Sequence, residues 1–423
     1  MSRLSRIVVV GASAAGLTAA ETLRRHGFAG SLTLVGEERR PPYDRPPLSK
    51  QILRGAWGAE RVALRRHDAL TTLGADWLLG VTAMALDSAA RKVTLSDGSV
   101  LAYDGLVIAT GVAPRRLPSG HELSGVHVLR TLDDALALRA GLLTAGSVVI
   151  VGAGFLGSEV AAVAREFGRN VTLVDPSPAP MIRQFGEDVA RRCAELHTRQ
   201  GVHLRCGTAV TALTGRDGRV TGVDLDDGAH VPADLVVVAI GAMPSVGWLA
   251  DSGLTLDDGV ECDHTCQAVP GVVAAGDVAS WHHPHLGRMR VEHRMNATEQ
   301  ATAAAKTLLG ADTPFAPVPY FWTDQYDVRI QAYGLTSPDA QFQIVTDDPA
   351  TGRFAALYGA DGHVIGAVSW NLPRQARLLR RHVAERAPWR QALRQASWIT
   401  PRISPSPAGS GVTDRAERHS QEL

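Results

Sequence analysis

Lysine is nearly absent from this 423-residue sequence: of 43 basic side chains only Lys50, Lys92 and Lys306 are lysine, the rest being arginine. Such a bias belongs to the composition of the whole chain, so a lysine that is kept calls for a reason. An excess of one charge is lacking too, because 43 acidic residues balance the 43 basic ones. A bulk nucleic-acid or anionic-membrane binder would need a positive surplus, and only a local basic face is left open. Cysteine is scarce: Cys193, Cys206, Cys262 and Cys266 include no CxxC pair, which excludes a disulfide scaffold and argues against a zinc site. No stretch reaches the ~20 uninterrupted apolar residues of a membrane span. What is present is ordinary globular composition, 45% hydrophobic and 5% aromatic. The length exceeds the roughly 250–300 residues at which one core stops growing, so two or three domains are expected.

Arg3 and Arg6 ahead of the apolar run 7–20 mimic a secretory signal, yet Glu21, Arg24 and Arg25 follow at once without a cleavage context. Strand, tight turn and helix is the better reading, in a cytoplasmic protein. Residues 7–10 are a β-branched run, followed by the turn Gly11-Ala12-Ser13-Ala14-Ala15-Gly16 and a helical stretch at 17–25. A second strand at 32–35 then ends in Gly36-Glu37. This is the dinucleotide fingerprint. The glycine turn lets backbone N–H groups and the helix N-terminus approach a pyrophosphate, and the acid after the second strand, Glu37, binds ribose hydroxyls. Ser13 replaces the usual middle glycine, which makes close backbone approach slightly less free there.

A second copy opens at 148–151 with Gly152-Ala153-Gly154-Phe155-Leu156-Gly157, a helix to Arg165, and a strand at 171–174 ending in Asp175. A lone glycine turn can be a plain strand-to-helix connection. Two copies, each with strand, helix and acid in place, point to two nucleotide sites. Between them lie a hairpin pattern at 93–101, turning at Asp97-Gly98, and a buried-type strand ending in Thr110-Gly111. The second copy has its echo in 235–240 followed by Gly241, and a further strand at 272–275 ends in Gly276-Asp277.

This order resembles the flavoproteins with two dinucleotide-binding domains, in which an FAD domain is interrupted by an NAD(P)H domain. The resemblance implies an α/β fold of two Rossmann-like domains plus a C-terminal α+β domain. The FAD domain would be discontinuous over 1–114 and 242–317, with the NADH domain at 115–241, the C-terminal interface domain at 318–400 and a disordered tail at 401–423. Disulfide reductases of that superfamily carry a redox cysteine pair beside the first site, but no cysteine precedes Cys193 here. Cys262 and Cys266 read as buried small residues. In place of cysteines stands Pro41-Pro42-Tyr43-Asp44-Arg45-Pro46-Pro47-Leu48-Ser49-Lys50, joined further on by Leu129-Arg130-Thr131-Leu132-Asp133-Asp134, Val291-Glu292-His293, Asn296-Ala297 and Pro319-Tyr320-Phe321-Trp322-Thr323-Asp324-Gln325-Tyr326. With these the chain resembles the FAD-dependent ferredoxin reductases of monooxygenase and dioxygenase systems, as far as about residue 398.

That resemblance implies FAD contacts at Ala15, Glu37, Arg45, Lys50, Ala83, Arg130 and, through the ribityl chain, Asp277. Gly11, Ser13, Gly16, Thr110 and Gly111 would complete the FAD site. Gly152, Gly154, Leu156, Gly157, Glu159, Asp175, Arg183 and Gly241 would serve NADH. Lys50 has a chemical rationale as well, since an ammonium near the flavin N5 and N1 edge stabilises the anionic reduced ring. Glu159 would pair with it and touch the nicotinamide. Trp322 would lie against the flavin and limit water and oxygen, though a core tryptophan needs no cofactor. The family often has an aromatic residue where Arg294 stands, so a backbone contact is expected there rather than a side-chain role. The histidines His282, His283 and His285 read as a loop, without the companions of a metal site.

Hydride transfer to a flavin needs stacking and orientation, and no acid, base or nucleophile triad. Asp175 would bond both ribose hydroxyls of NADH and repel a 2′-phosphate, with Arg183 the residue that would soften the preference against NADPH. No iron-sulfur cysteine set is present, so the acceptor is expected in trans, as an acidic ferredoxin serving a cytochrome P450 or a ring-hydroxylating oxygenase. From 319 onward short strands precede a helix expected over 374–395. Its Arg374, Arg377, Arg380, Arg381, Arg386, Arg390 and Arg394 face only Glu385 in opposition. They would either steer an acidic ferredoxin or form a plain solvated face. Other readings stay open: an NADH oxidase or other-acceptor reductase of the same fold, or an NADH-sensing flavoprotein resembling apoptosis-inducing factor. Monomer and homodimer are equally compatible with the sequence.

Overall fold

The computed structural model describes residues 4–396. The expected tail at 401–423 and the last four residues assigned to the C-terminal domain lie outside the described residues. Two sheets carry the two fingerprints, both parallel except for the antiparallel edge strand Gln267–Val269 of the first. In the first, the strand Arg6–Val10 lies between Ser31–Gly36 and Gly105–Ile108. Asp76–Leu79 extends it on one side, Val272–Ala274 and Gln267–Val269 on the other. In the second, Ser147–Val151 lies between Asn170–Asp175 and Leu235–Val238, with His203–Cys206 and Val126–His127 at the edges. One sheet thus gathers strands from both sides of the segment that builds the other.

The central strands are buried along their length, Val8, Val9 and Val10 in one and Val148, Val149 and Ile150 in the other. Continuous β-branched runs of this kind suit a parallel sheet covered on both faces. The helix Ala14–Arg25 covers the first sheet through Ala19, Ala20 and Leu23, which share a core with its strands. It packs against Arg294–Leu308, whose buried Ala301, Ala304 and Ala305 let the two helices approach closely.

The third unit is a five-stranded antiparallel sheet in the order Tyr320–Gln325, Val328–Gly334, His363–Trp370, Arg353–Ala360 and Gln341–Asp348. The single helix expected over 374–395 is instead two, Pro373–Ala384 and Trp389–Ala396. Arg386 between them is left-handed at φ 46°, and Pro388, which has no N–H and disfavours helix in the residue before it, restarts the chain in a new direction. The histidine stretch is not a loop throughout, since His282 and His283 end the strand Ala279–His283. The buried His283 closes the turn beyond it by accepting the His285 and Leu286 N–H groups. Cys262 and Cys266 are buried, and burial pushes the Cys262 thiol up to about 12. No helix among the described residues is long and apolar enough to cross a membrane.

Candidate functional site

Both glycine turns open on one cavity of about 900 Å³ at the C-terminal ends of the two parallel sheets, where open α/β sheets place ligands. The turns are built alike. The Gly11 N–H donates to the Val35 carbonyl at 2.8 Å and the Gly152 N–H to the Val174 carbonyl at 2.7 Å. Gly11 and Gly152 hold φ of 113° and 104°, a region open to glycine. A Cβ on Gly16 would sit 1.8 Å from the Gly11 carbonyl oxygen, and one on Gly157 would sit 1.9 Å from that of Gly152. These outer glycines therefore let each helix pack on its own strand. The middle position differs: a Cβ on Gly154 would meet no atom nearer than 3.9 Å. It faces the cavity rather than the protein, which explains why Ser13 is accommodated at the equivalent place.

Three helices point uncapped N-termini at this space. Ser13, Gly154 and His293 precede Ala14–Arg25, Phe155–Glu166 and Arg294–Leu308, none contributes a side-chain cap, and no helix has an acid in its first turn. Their leading N–H groups and positive dipole ends are thus available to anions. Ser13, Gly154 and His293 all line the cavity. The His293 Nδ1 is buried without a partner, its ring lies 4.8 Å from that of Phe321, and burial lowers its pKa to about 4.

The proline-rich segment forms one wall. The Arg45 guanidinium donates to Glu38 at 2.7 Å and to the Arg130 carbonyl at 2.6 Å, while the Tyr43 hydroxyl donates to Glu38 and accepts the Leu132 N–H. Burial, opposed by Arg45, pushes the Tyr43 hydroxyl up to about 12. Arg130 is placed by a capping box: Thr131 accepts the Asp134 N–H, and Asp134 accepts those of Thr131 and Arg130. Its guanidinium lies 3.3 Å from Asp277. Burial raises the Asp277 carboxyl above the usual range, with Arg130 opposing. Arg294 turns its side chain to Asp44 and Thr298, so the guanidinium anchors its helix to the proline-rich segment.

Lys50 and Glu159 meet at 2.7 Å with both side chains under a tenth exposed. The Lys50 ammonium also reaches the Pro46 carbonyl at 3.3 Å and the Ser49 hydroxyl at 3.4 Å, and Ser49 donates to Glu159. The other carboxylate oxygen of Glu159 accepts from the Thr323 hydroxyl at 2.8 Å. Trp322 lines the cavity and stacks on Tyr320 at 5.8 Å, which meets the Tyr333 ring at a tilt, 4.7 Å between centroids.

On the second turn, the Asp175 carboxylate accepts the Ala153 N–H and the Ser177 N–H, each at 2.7 Å, and so locks the glycine turn to the strand that follows it. Ala15, Gly111, Leu156, Arg183 and Gly241 also line the cavity. Gly11, Gly16 and Gly157 stand behind its backbone, and Thr110 donates to the Ser245 carbonyl at 2.9 Å. Glu37 and Ala83 do not line it: Glu37 is exposed just past its strand, and Ala83 packs into the first core. Of the partners, Glu38 was not named in the sequence reading, and Asp44, Ser49 and Thr323 stood there only within motifs, without a role. Ser49 and Thr323 lie 110 and 164 residues from Glu159, and no local pattern links them.

The pyridine nucleotide-disulphide oxidoreductase family matches residues 5–305, and the reductase C-terminal domain matches 320–396. A ferredoxin–NAD(P)+ reductase of a Sphingomonas species is 40% identical over 364 residues, covering 85% of this chain and 88% of that protein. The ferredoxin–NAD+ reductase component of the p-cumate 2,3-dioxygenase system of Pseudomonas putida is 40% identical over 388 residues, covering 91% and 94%. Among solved structures, putidaredoxin reductase in its covalent complex with putidaredoxin superposes with a TM-score of 0.87 at 33% identity, covering 91% of this chain and 94% of that one. This chain belongs to the pyridine nucleotide-disulphide oxidoreductase family, among the ferredoxin reductases that carry the reductase C-terminal domain.

Proposed function

We propose that this protein takes electrons from NADH onto FAD and delivers them to a separate iron-sulfur ferredoxin that serves a cytochrome P450 or a ring-hydroxylating oxygenase. The observation that carries the reading is the convergence of three uncapped helix N-termini on one cavity, around the buried Lys50–Glu159 pair. The N-terminus of Ala14–Arg25, with Ser13, would hold the FAD pyrophosphate, and that of Phe155–Glu166, with Gly154, the NADH pyrophosphate. The N-terminus of Arg294–Leu308 and the unpartnered His293 would face the flavin. Bound there, FAD would supply the conversion between the two-electron chemistry of NADH and a one-electron acceptor.

The chain's own part is orientation and electrostatics. Lys50 supplies positive charge where negative charge arrives with the hydride, and Glu159 keeps that ammonium from turning away. Trp322 covers one side of the site and excludes water. Asp175 fixes the turn that receives NADH and sets its carboxylate against a 2′-phosphate, which supports NADH over NADPH. The Asp277–Arg130 pair braces the opposite wall.

Docking of an acidic ferredoxin is assigned to the arginines of Pro373–Ala384 and Trp389–Ala396, which are exposed. The run of ring contacts from Trp322 through Tyr320 ends at Tyr333, packed with Ala376 and Leu379 of that first helix. A basic face there would steer the partner toward the cavity. A cytoplasmic location belongs to the same proposal.

The test is the visible spectrum of the purified protein, followed by cytochrome c reduction with NADH and with NADPH, each with and without added ferredoxin. A flavin spectrum with NADH-driven, ferredoxin-stimulated turnover is expected. Rapid turnover that ferredoxin leaves unchanged would overturn the acceptor assignment, and a stable charge-transfer band with little turnover would make the protein a sensor.

A further inference from the structure

We propose that the C-terminal unit takes part in hydride transfer itself, through Thr323, a positioning residue that fixes the Glu159 carboxylate and with it Lys50. The inference rests on the reductase reading above and deepens it. Glu159 belongs to the helix after the second glycine turn, Lys50 and Ser49 to the proline-rich segment, and Thr323 to the edge strand Tyr320–Gln325 of the antiparallel sheet. Donors from two separate units thus close on one buried carboxylate.

The arrangement leaves the carboxylate little freedom. One oxygen takes Lys50 at 2.7 Å and Ser49, in a ring closed by the 3.4 Å contact from Lys50 to Ser49. Among the described residues the other takes only Thr323, at 2.8 Å. The last torsion of a glutamate is soft, so a carboxylate gripped at one oxygen still turns, whereas one gripped at both does not. The Thr323 proton is directed as well. Its oxygen faces the Gln325 amide N–H at 3.4 Å, so the hydroxyl has its one hydrogen left for Glu159. Thr323 and Gln325 are wholly buried, and alternation along the strand puts them on one face. Pairing of Thr323 with Ile330 in the neighbouring strand holds that face in register. Without the hydroxyl, the carboxylate oxygen would be buried with no donor, and the carboxylate would swing toward Lys50, taking the ammonium with it.

The experiment is anaerobic stopped-flow reduction of the flavin by NADH in the holoprotein, comparing wild type with Thr323→Val and Thr323→Ser. Thr323→Val is expected to lower the limiting reduction rate about 10-fold, the order of one hydrogen bond to a charged group, while the apparent Kd for NADH stays within about 3-fold. Thr323→Ser keeps the hydroxyl and should recover the wild-type rate to within about 3-fold. The flavin absorbance band should shift in the valine variant and not in the serine variant. Flavin that NADH leaves oxidised in the wild-type protein overturns the reductase reading and this inference with it. Wild-type reduction with an equally fast Thr323→Val overturns the inference alone, as does a serine variant as slow as valine. Should the valine variant fail to retain flavin, Thr323→Cys, with its weak donor, is read by the same criteria.

Discussion

Gly154 and Gly157 stand in the same turn, and the structure gives them opposite tasks that two substitutions separate. In Gly157→Ala the new Cβ would lie 1.9 Å from the Gly152 carbonyl oxygen and 3.3 Å from Ile150 Cγ2. Backbone cannot yield as a side chain tip can, so the helix must shift away from the strand by about an ångström or more. Overpacking of this kind costs about 1–3 kcal/mol, offset by roughly 0.5–1 kcal/mol that alanine returns in a helix. A contact of 1.9 Å with backbone takes the upper part of that range, about 2–3 kcal/mol, so the net loss of about 1–2.5 kcal/mol corresponds to a fall in Tm of about 3–10 °C for a unit of this size. In Gly154→Val the Cβ meets nothing nearer than 3.9 Å, and because Gly154 lines the cavity the valine methyls are expected to take their room there. Its Tm should fall by no more than about 1 kcal/mol would cause, while KM for NADH rises at least about 10-fold because the side chain occupies the approach to the helix N-terminus. Differential scanning fluorimetry and steady-state kinetics with ferricyanide measure both. A Gly157→Ala protein that melts like wild type, or a Gly154→Val protein with unchanged KM, would refute the division of labour between the two glycines.

Asp175→Ala leaves the Ala153 and Ser177 N–H groups without their acceptor, and the loosened turn should raise KM for NADH about 10-fold and narrow the NADH to NADPH ratio; kinetics with both cofactors measure it. His197 is wholly buried against Tyr326, and burial depresses its pKa to about 4. An unfolded histidine titrates near about 6.5, so its contribution to stability is intact above that value and is lost as pH falls toward 4. By pH 5 the loss is roughly 2 kcal/mol, and a His197→Gln variant should show a flatter dependence of its urea midpoint between pH 7 and 5. Reversing Arg377 and Arg381 to glutamate should lower kcat/KM for an acidic ferredoxin about 10-fold at low salt, and the gap should close as ionic strength rises. A salt-independent loss would mean that these arginines act through structure and not through steering.

Much of the site was legible because its signals are local. A glycine turn needs its strand, helix and acid within some 30 residues, so both turns could be located from residue order alone. The Thr131 capping box that presents Arg130 is as local a pattern, but it was not read from the sequence. The expected helix at 374–395 failed although its breaker is just as local. Its arginine periodicity is continuous, yet Pro388 interrupts the backbone whatever the side chains prefer. Glu37, read from the fingerprint, and Ala83, assigned by resemblance, are not among the residues that line the cavity: Glu37 is exposed just past Ser31–Gly36, and Ala83 opens the strand Ala83–Asp87 and packs into the first core.

By itself the sequence determined that there are two nucleotide turns, that no cysteine pair stands by the first, and that a rare lysine follows a proline-rich segment. These are consequences of short-range geometry, which residue order encodes directly. Only the tertiary structure decided what that lysine meets. Glu159 lies 109 residues away and Thr323 a further 164. Contacts at such separations depend on how whole sheets pack, and on which face of an edge strand is turned inward. The cost of burying a carboxylate without donors then selects the one arrangement in which every oxygen is satisfied.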